Sequence, residues 1–200
     1  MDLDDVLIKS SYLDQNGKVV FYWSENMEKD IGISMDCISV LAQDWDGVIT
    51  GKKSVYEHVE MFLQKINSNM TSNEFIDYWM NYDIQLNKDV TDWTVNMHQI
   101  GHKLYIATNQ ENTRVERILK KHPDFFKIFD SVFTSADFGT KKTEPVFFTK
   151  VLEILNISSS DLLFIDDSDD NIASAQRVGI KSIKYNPKIF SKRHYPYLTC

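Results

Sequence analysis

The sequence predicts an α/β protein in which a parallel sheet carries helices on both faces, with a small helical domain inserted near the start of the chain. Two observations support this prediction. After residue 87, short apolar runs alternate with amphipathic stretches, which is the pattern of a parallel sheet with right-handed crossovers. Before residue 88, apolar residues recur mainly at steps of three and four, which is typical of helices.

The later part of the chain supplies the predicted sheet. Its short apolar runs predict four strands, at residues 102–107, 129–135, 162–165 and 181–185. The amphipathic stretches between them predict helices at residues 90–100, 111–121, 144–155 and 171–178. Because a helix connects each strand to the next, the strands are expected to run parallel.

The chain is predicted to divide into a core of residues 1–11 and 88–200 and an inserted domain of residues 12–87. Within the insertion, helical spacing of apolar residues recurs at residues 21–33, 55–66 and 72–80. Residues 38–42 could form either a strand or a helix. We expect the insertion to pack over one edge of the sheet.

A cluster of aspartates directly follows the predicted strand at 162–165, namely Asp166, Asp167, Asp169 and Asp170. Open α/β sheets bind their ligands at the carboxyl ends of strands. Crowded carboxylates repel one another, and a bound Mg²⁺ or Ca²⁺ offsets that repulsion because both ions take oxygen ligands. These residues alone fit a solvated acidic turn that caps the next helix equally well.

Two other predicted strand ends carry polar groups of different kinds. Thr108 offers a hydroxyl and, with Asn109, backbone N–H groups at a helix start, which is a natural anion site. Lys141 and Lys142 follow the loop after another strand. A hydroxyl, an ammonium and paired carboxylates at one sheet edge suit a phosphoryl group held with Mg²⁺. An aspartate could serve as nucleophile, and a second acid could transfer the protons.

In their order along the chain, these groups resemble the four motifs of the haloacid dehalogenase-like (HAD) hydrolase superfamily. Residues 107–110 match the second motif, residues 139–145 resemble the third, and residues 164–171 match the fourth. The resemblance covers nearly the whole chain, and it is to the branch with a helical cap inserted after the first motif. It implies a Rossmann-like parallel sheet core with a small helical cap domain.

The first motif, Asp-x-Asp, has two candidates. Asp44 and Asp46 follow a short apolar run and precede a glycine in the family's usual place, whereas Asp2 and Asp4 stand at the start of the chain. Thr108 lies 106 residues after Asp2 and 64 residues after Asp44, and only the longer interval contains the whole helical stretch. We therefore assign the motif to Asp2 and Asp4, and we interpret Asp44 and Asp46 as an exposed helix end in the cap.

This assignment leaves only Met1 ahead of Asp2, where the family has the central strand of the sheet. The sequence therefore predicts that the first strand is missing or truncated. Loss of that strand would expose strand edges on both sides of the gap.

The resemblance implies a Mg²⁺-dependent phosphatase with Asp2 as nucleophile and Asp4 as general acid and base. Dehalogenation is less favoured, because it needs no metal and no acid at the position of Asp4. The implied site comprises catalytic residues Asp2, Asp4, Thr108 and Lys142; substrate-binding residues Thr108, Asn109 and Lys142; and Mg²⁺ ligands Asp2, Asp4 through its carbonyl, Asp166 and Asp167.

Composition restricts the partners and the cellular setting. The net charge of −7 argues against nucleic acid, and no apolar run approaches the ~18 residues of a membrane span. Two cysteines provide no disulfide framework, which fits the cytoplasm. The expected partner is a small phosphorylated substrate, and exposed strand edges or cap aromatics could favour a homodimer. The alternative hypothesis is a shortened, inactive relative that binds a metabolite or a protein through its cap.

Overall fold

The computed structural model describes residues 1–82 and 85–187, so the predicted core beyond residue 187 lies outside the described residues. Its strands are β1 (Ile8–Lys9), β2 (Ser11–Leu13), β3 (Val19–Phe21), β4 (Gln85–Leu86), β5 (Tyr105–Thr108), β6 (Ser131–Thr134), β7 (Leu163–Asp166) and β8 (Lys181–Lys184). Its helices are α1 (Met27–Ile31), α2 (Ile38–Leu41), α3 (Trp45–Ile49), α4 (Val55–Lys65), α5 (Ser72–Tyr82), α6 (Lys88–Gln99), α7 (Asn112–Lys121), α8 (Pro123–Phe126), α9 (Ser135–Phe138), α10 (Pro145–Leu155) and α11 (Asp169–Arg177).

Two pairs of parallel strands, β5 with β6 and β7 with β8, form the predicted sheet. The first residues of the chain join the two pairs. The Met1 nitrogen donates to the Tyr105 carbonyl at 2.7 Å, and the Met1 carbonyl accepts from the Ala107 N–H at 3.0 Å. On the other side, the Asp2 N–H donates to the Ile165 carbonyl at 2.9 Å. Residues 1 and 2, where the sequence predicts a missing or truncated strand, therefore connect β5 and β7 through backbone hydrogen bonds.

Successive residues of the sheet face two separate apolar clusters, as the twofold period of a strand requires. Ile106 and Ile165 pack with residues of α6 and α7. Their neighbours Ala107 and Phe164 point to the opposite face, where they pack with residues of α10 and α11. The predicted fold class, a parallel sheet with helices on both faces, is confirmed.

A β-hairpin of β2 and β3 occupies residues 11–21, where the sequence predicts helix from residue 12 onwards. The turn explains the error. The Asp14 carboxylate accepts hydrogen bonds from the N–H groups of Asn16 and Lys18, and Gly17 adopts a φ of +77°. These turn interactions reverse the direction of the chain, so a hairpin forms although the spacing of apolar residues is typical of a helix.

A third apolar cluster lies within residues 23–80. Helices α4 and α5 pack against each other there through buried side chains that include Phe62 and Phe75. Residues 38–42, for which strand and helix were both open, contain helix α2. Strands β1 and β4 pair antiparallel on either side of this region. None of the helices within residues 1–82 and 85–187 has the length and apolarity needed to cross a bilayer.

The segment after α3 approaches α9 closely. The Ser135 hydroxyl donates a hydrogen bond to the Ile49 carbonyl, and Gly51 lies against the backbone of Ala136. A Cβ atom at Gly51 would lie 2.7 Å from the Ala136 oxygen, and Gly51 has a φ of +69°. Both the conformation and the close approach therefore require glycine at this position.

We predict that Gly51→Ala destabilises the protein more than Gly32→Ala, measured as the free energy of unfolding in urea. Gly32 has the same φ of +69° but nothing within 4 Å of the added Cβ, so it reports the backbone strain alone. That strain costs about 1–2 kcal/mol. Displacing the Ala136 carbonyl should add roughly 1–3 kcal/mol, as overpacking does elsewhere. Equal losses in the two variants would show that α9 does not hold this contact in solution.

Candidate active site

Three carboxylates converge at the carboxyl end of the sheet. Asp2, Asp166 and Asp167 each offer an oxygen, and these oxygens lie within 4.8 Å of one another. Asp2 and Asp166 are buried, whereas Asp167 is more exposed. They meet because the hydrogen bond from Asp2 to Ile165 places the start of the chain beside the end of β7.

Lys142 lies buried between two of these carboxylates. Its Nζ is 2.5 Å from Asp2 Oδ1 and 2.7 Å from Asp166 Oδ2, and its side chain is 1% exposed. Burial alone would lower the pKa of Lys142, but the two carboxylates outweigh it and raise that pKa. The Lys142 N–H also donates to Asn109 Oδ1 at 2.8 Å, which fixes the loop that carries the lysine.

Asp166 is fully engaged in holding this arrangement. Its Oδ1 accepts from the Ser168 N–H at 2.8 Å and from Asn171 Nδ2 at 3.0 Å, while its Oδ2 accepts from Lys142. Since both oxygens already have donors, the structure favours Asp166 as the residue that orients Lys142.

Asp167 forms no ion pair with a lysine or arginine in the described part of the chain. Burial, together with the negative charges of Asp166 and Asp5, raises the pKa of Asp167 to about 6. Burial also raises the pKa of Asp2; Lys142 opposes this effect, and the neighbouring Asp166 adds to it. Three carboxyl groups in this cluster therefore share the ammonium of Lys142, and a further cation would favour their ionised forms.

The donor set of this cluster fits a Mg²⁺ ion. All the converging atoms are carboxylate oxygens, the ligand type that Mg²⁺ prefers. Asp2, Asp166 and Asp167 each offer an oxygen that could hold it, and the oxygens of Asp166 also accept other hydrogen bonds. The expected ligation by the Asp4 carbonyl stays a prediction.

The Asp4 side chain has a different partner, Arg114. The guanidinium contacts both carboxylate oxygens, at 2.6 Å and 2.9 Å, and Gln110 Nε2 donates to Asp4 Oδ2 at 2.8 Å. Burial would raise the pKa of Asp4, but the Arg114 charge and these hydrogen bonds together lower it. The Arg114 side chain is 2% exposed, so this is a buried, bidentate ion pair.

Neither Arg114 nor Gln110 was predicted from the sequence to contact Asp4. One signal was present for Arg114: an arginine in the first turn opposes the helix dipole, which indicates that another interaction holds it there.

Thr108 and Asn109 lie where the second motif predicts, at the end of β5. Thr108 is buried, and its hydroxyl makes no hydrogen bond to any residue that the structure describes, so it is available to a ligand. The Asn109 side chain is bonded to the Lys142 backbone and thus joins two motif loops. Direct binding of substrate by Asn109 stays a prediction.

The second candidate for the first motif lies at the surface. Asp44 precedes α3, its side chain is 81% exposed, and it pairs with Lys53. Asp46 pairs with Lys141 at 2.7 Å. Neither belongs to the carboxylate cluster around Lys142 within the described residues, so the interpretation of both as an exposed helix end agrees with the structure.

The fold and the site together define a hydrolase of the HAD type, with a buried lysine and an aspartate cluster at the carboxyl end of a parallel sheet. Residues 1–179 match the family model described as haloacid dehalogenase-like hydrolase. The chain belongs to this family.

Curated relatives match parts of the chain. Drimenol cyclase drtB from Aspergillus calidoustus is 31% identical over 86 residues, which cover 43% of this chain and 16% of the relative. Sesquiterpene phosphatase astK from Aspergillus oryzae is 30% identical over 80 residues, 40% of each chain. Phosphoglycolate phosphatase from Aliivibrio fischeri is 29% identical over 94 residues, 47% of this chain and 41% of that one. The matched segments cover less than half of each relative.

Solved structures share the fold over nearly the whole chain. A HAD family enzyme from Bacteroides thetaiotaomicron, in complex with magnesium and inorganic phosphate, superposes with a TM-score of 0.74 at 20% identity. The match covers 100% of this chain and 96% of that one. A 2-haloacid dehalogenase from Pseudomonas syringae superposes with a TM-score of 0.64 at 17% identity, over 94% of this chain and 85% of its own.

We predict that Lys142→Met lowers the free energy of unfolding in urea far more than Lys141→Met. Removing Lys142 leaves two buried carboxylates without a cation, which costs roughly 3–5 kcal/mol. Lys141 pairs with an Asp46 side chain that is 73% exposed, and such surface pairs contribute about 0–1 kcal/mol. Similar losses in the two variants would contradict the central place given to Lys142.

We predict that Asp167→Asn changes the melting temperature and its response to Mg²⁺, measured by thermal unfolding in EDTA and in Mg²⁺. The folded-state pKa of about 6 lies above the ordinary value, so the Asp167 carboxyl destabilises the fold progressively as the pH rises through that value. At pH 7.5 in EDTA, Asp167→Asn should therefore melt above wild type. Mg²⁺ should raise the melting temperature of wild type and have little effect on the variant.

The control for this experiment is Asp170→Asn, which changes an exposed aspartate of the same acidic run. It should keep the wild-type response to Mg²⁺. A Mg²⁺ response that survives in Asp167→Asn would place the ion elsewhere.

Proposed function

We propose that the protein is a Mg²⁺-dependent phosphatase that hydrolyses a small phosphate monoester through an aspartyl-phosphate formed on Asp2. The observation that carries this proposal is the position of Lys142, whose ammonium contacts the Asp2 carboxylate within a cluster of acids. A buried cation beside a carboxylate keeps that carboxylate available as a nucleophile and attracts an anionic phosphoryl group.

In the first step, Asp2 attacks the phosphorus atom and the bond to the leaving alcohol breaks. Lys142 and the Thr108 hydroxyl hold phosphoryl oxygens, while Asp166 keeps the Lys142 ammonium in place. A bound Mg²⁺, held by Asp2 and Asp167, supplies positive charge that offsets the repulsion between the acids and the phosphoryl oxygens.

Asp4 handles the protons of both steps. In the second step it takes a proton from the water that attacks the aspartyl-phosphate, and the Arg114 ion pair suits this role because it favours the ionised carboxylate. In the first step Asp4 must carry a proton to the leaving oxygen. The proposal therefore requires that the Asp4 carboxyl separate from Arg114 when substrate binds.

Residues 12–87 are proposed to act as the cap that covers this site. Their apolar cluster is separate from the two clusters of the sheet, and the α9 contact with Gly51 joins the two regions. The names of two relatives, a sesquiterpene phosphatase and a phosphoglycolate phosphatase, support phosphate-ester hydrolysis, as does the Mg²⁺ and phosphate bound by the Bacteroides structure. The sequence has two cysteines, too few for a disulfide framework, which supports a cytoplasmic location.

We predict that Asp2→Asn lowers the turnover of p-nitrophenyl phosphate in Mg²⁺ by at least about three orders of magnitude, because the amide is not a nucleophile. Circular dichroism should show that the variant keeps its fold. Release of p-nitrophenol, followed by absorbance, is the measurement.

Asp44→Asn is the matched control, since it makes the same chemical change at the other Asp-x-Asp segment, and it should keep wild-type activity. Full activity in Asp2→Asn together with a loss in Asp44→Asn would reverse the assignment of the first motif. Wild type without Mg²⁺-dependent release would contradict the proposed function itself.

A further inference from the structure

A cavity of about 270 Å³ opens beside Asp4, between the core and residues 21–79. On the core side it is bounded by Asp4, Asp5, Gln110 and Arg114. Because Asp4 is the proposed donor of a proton to the leaving oxygen, an ester bound at Asp2 would extend its leaving group in this direction. The groups that line the cavity therefore bear on the substrate.

The far wall of the cavity is aromatic and aliphatic. Trp23, Trp45 and Trp79 form a contiguous surface, since the ring centroids of Trp23 and Trp45 each lie 5.6 Å from that of Trp79. Ile38 and Leu41 of α2 extend the same wall. Trp23 and Trp79 are buried in the apolar cluster of residues 23–80, which holds the wall in position.

Both carboxylates at the core side have protein partners, whereas the buried Gln110 Oε1 has no hydrogen-bond partner among the described residues. The Asp4 carboxylate takes the guanidinium of Arg114 and the amide of Gln110. The Asp5 carboxylate accepts hydrogen bonds from the N–H groups of Ser10 and Ser11. Among the described residues that line the cavity, Arg114 is the one cation, and it is paired with Asp4.

We propose that this cavity binds an uncharged, apolar leaving group, so that the substrate is a phosphate monoester of a hydrophobic alcohol. The inference rests on the proposed phosphatase function and specifies its substrate class. The apolar wall favours a hydrocarbon group by removing it from water. A leaving group that carries a carboxylate is disfavoured, because contact with the apolar wall would remove water from that charge.

The proposed reaction consumes the ester and one water molecule. Asp2 forms a bond to phosphorus, the bond between phosphorus and the alkoxy oxygen breaks, and Asp4 gives that oxygen its proton, so the hydrophobic alcohol is released. Water then attacks the phosphorus of the aspartyl-phosphate, Asp4 recovers a proton from it, and inorganic phosphate leaves with Asp2 restored.

The test is the ratio of kcat/KM values for ethyl, butyl and hexyl phosphate and for 3-carboxypropyl phosphate, measured in Mg²⁺ by phosphate release. Each methylene that enters the cavity should raise kcat/KM by roughly two- to fourfold, so hexyl phosphate should exceed ethyl phosphate by at least about tenfold. The carboxylate ester has as many carbons as butyl phosphate and should be at least about tenfold poorer than it.

Ile38→Asp tests the wall itself, because it puts a charge into the apolar lining. It should reduce kcat/KM for hexyl phosphate more than for ethyl phosphate, so that their ratio falls towards one. Ser39→Asp makes the same change at the next residue of α2, which is exposed and does not line the cavity, and it should keep the wild-type ratio.

The two proposals fail in different ways. Hydrolysis of p-nitrophenyl phosphate with equal kcat/KM for the three alkyl esters, or with preference for the carboxylate ester, would overturn the apolar substrate class and leave the phosphatase function standing. Absence of hydrolysis with every ester would overturn both. An unchanged ratio in Ile38→Asp would show that α2 does not contact the leaving group, which would also overturn the inference.

Discussion

The structure depends on how it compensates a crowd of acids at one edge of the sheet. Buried carboxylates close to one another are stable only when each finds a cation or several hydrogen-bond donors. Here Lys142 serves two of them at once, Asp2 and Asp166, from a position with 1% exposure. Lys142 lies in the loop after β6 and α9, so it reaches these carboxylates only when the strands of the sheet are assembled.

The remaining acids near this edge differ in their partners, and the differences separate their roles. Asp4 has its own guanidinium from Arg114, and Asp5 accepts from backbone N–H groups at the start of β2. Asp167 has no ion pair with a lysine or arginine among the described residues, and burial together with the charges of Asp166 and Asp5 raises its pKa. The Mg²⁺ that we propose for Asp167 and Asp2 would offset these charges, so electrostatics as well as resemblance support that proposal.

The fold was predictable because its signals are local and periodic, whereas the site residues were predicted from their resemblance to the family motifs. The strand before Asp166 and the helix after it follow from a short apolar run and an amphipathic stretch. The hairpin at residues 11–21 was not predicted, because turn chemistry around Asp14 overrides the apolar spacing. Arg114 was missed because its partner Asp4 lies 110 residues away in sequence, and no local pattern specifies a pairing at that distance. The placement of residues 1 and 2 between β5 and β7 depends in the same way on hydrogen bonds to two strands that are distant in sequence.

One short turn links the chemistry to the cavity. Asp4 lies at the start of residues 4–8, and the next residue, Asp5, adopts a φ of +53° and fixes the N–H groups of Ser10 and Ser11 where β2 begins. The hairpin that starts there ends beside Trp23, a wall residue of the cavity. Asn87 Nδ2 stabilises the same turn by donating a hydrogen bond to the Val6 carbonyl. Asp4 and Trp23 are therefore positioned by one continuous segment, so a backbone shift that separated Asp4 from Arg114 would also act on one residue of the wall proposed to contact the leaving group.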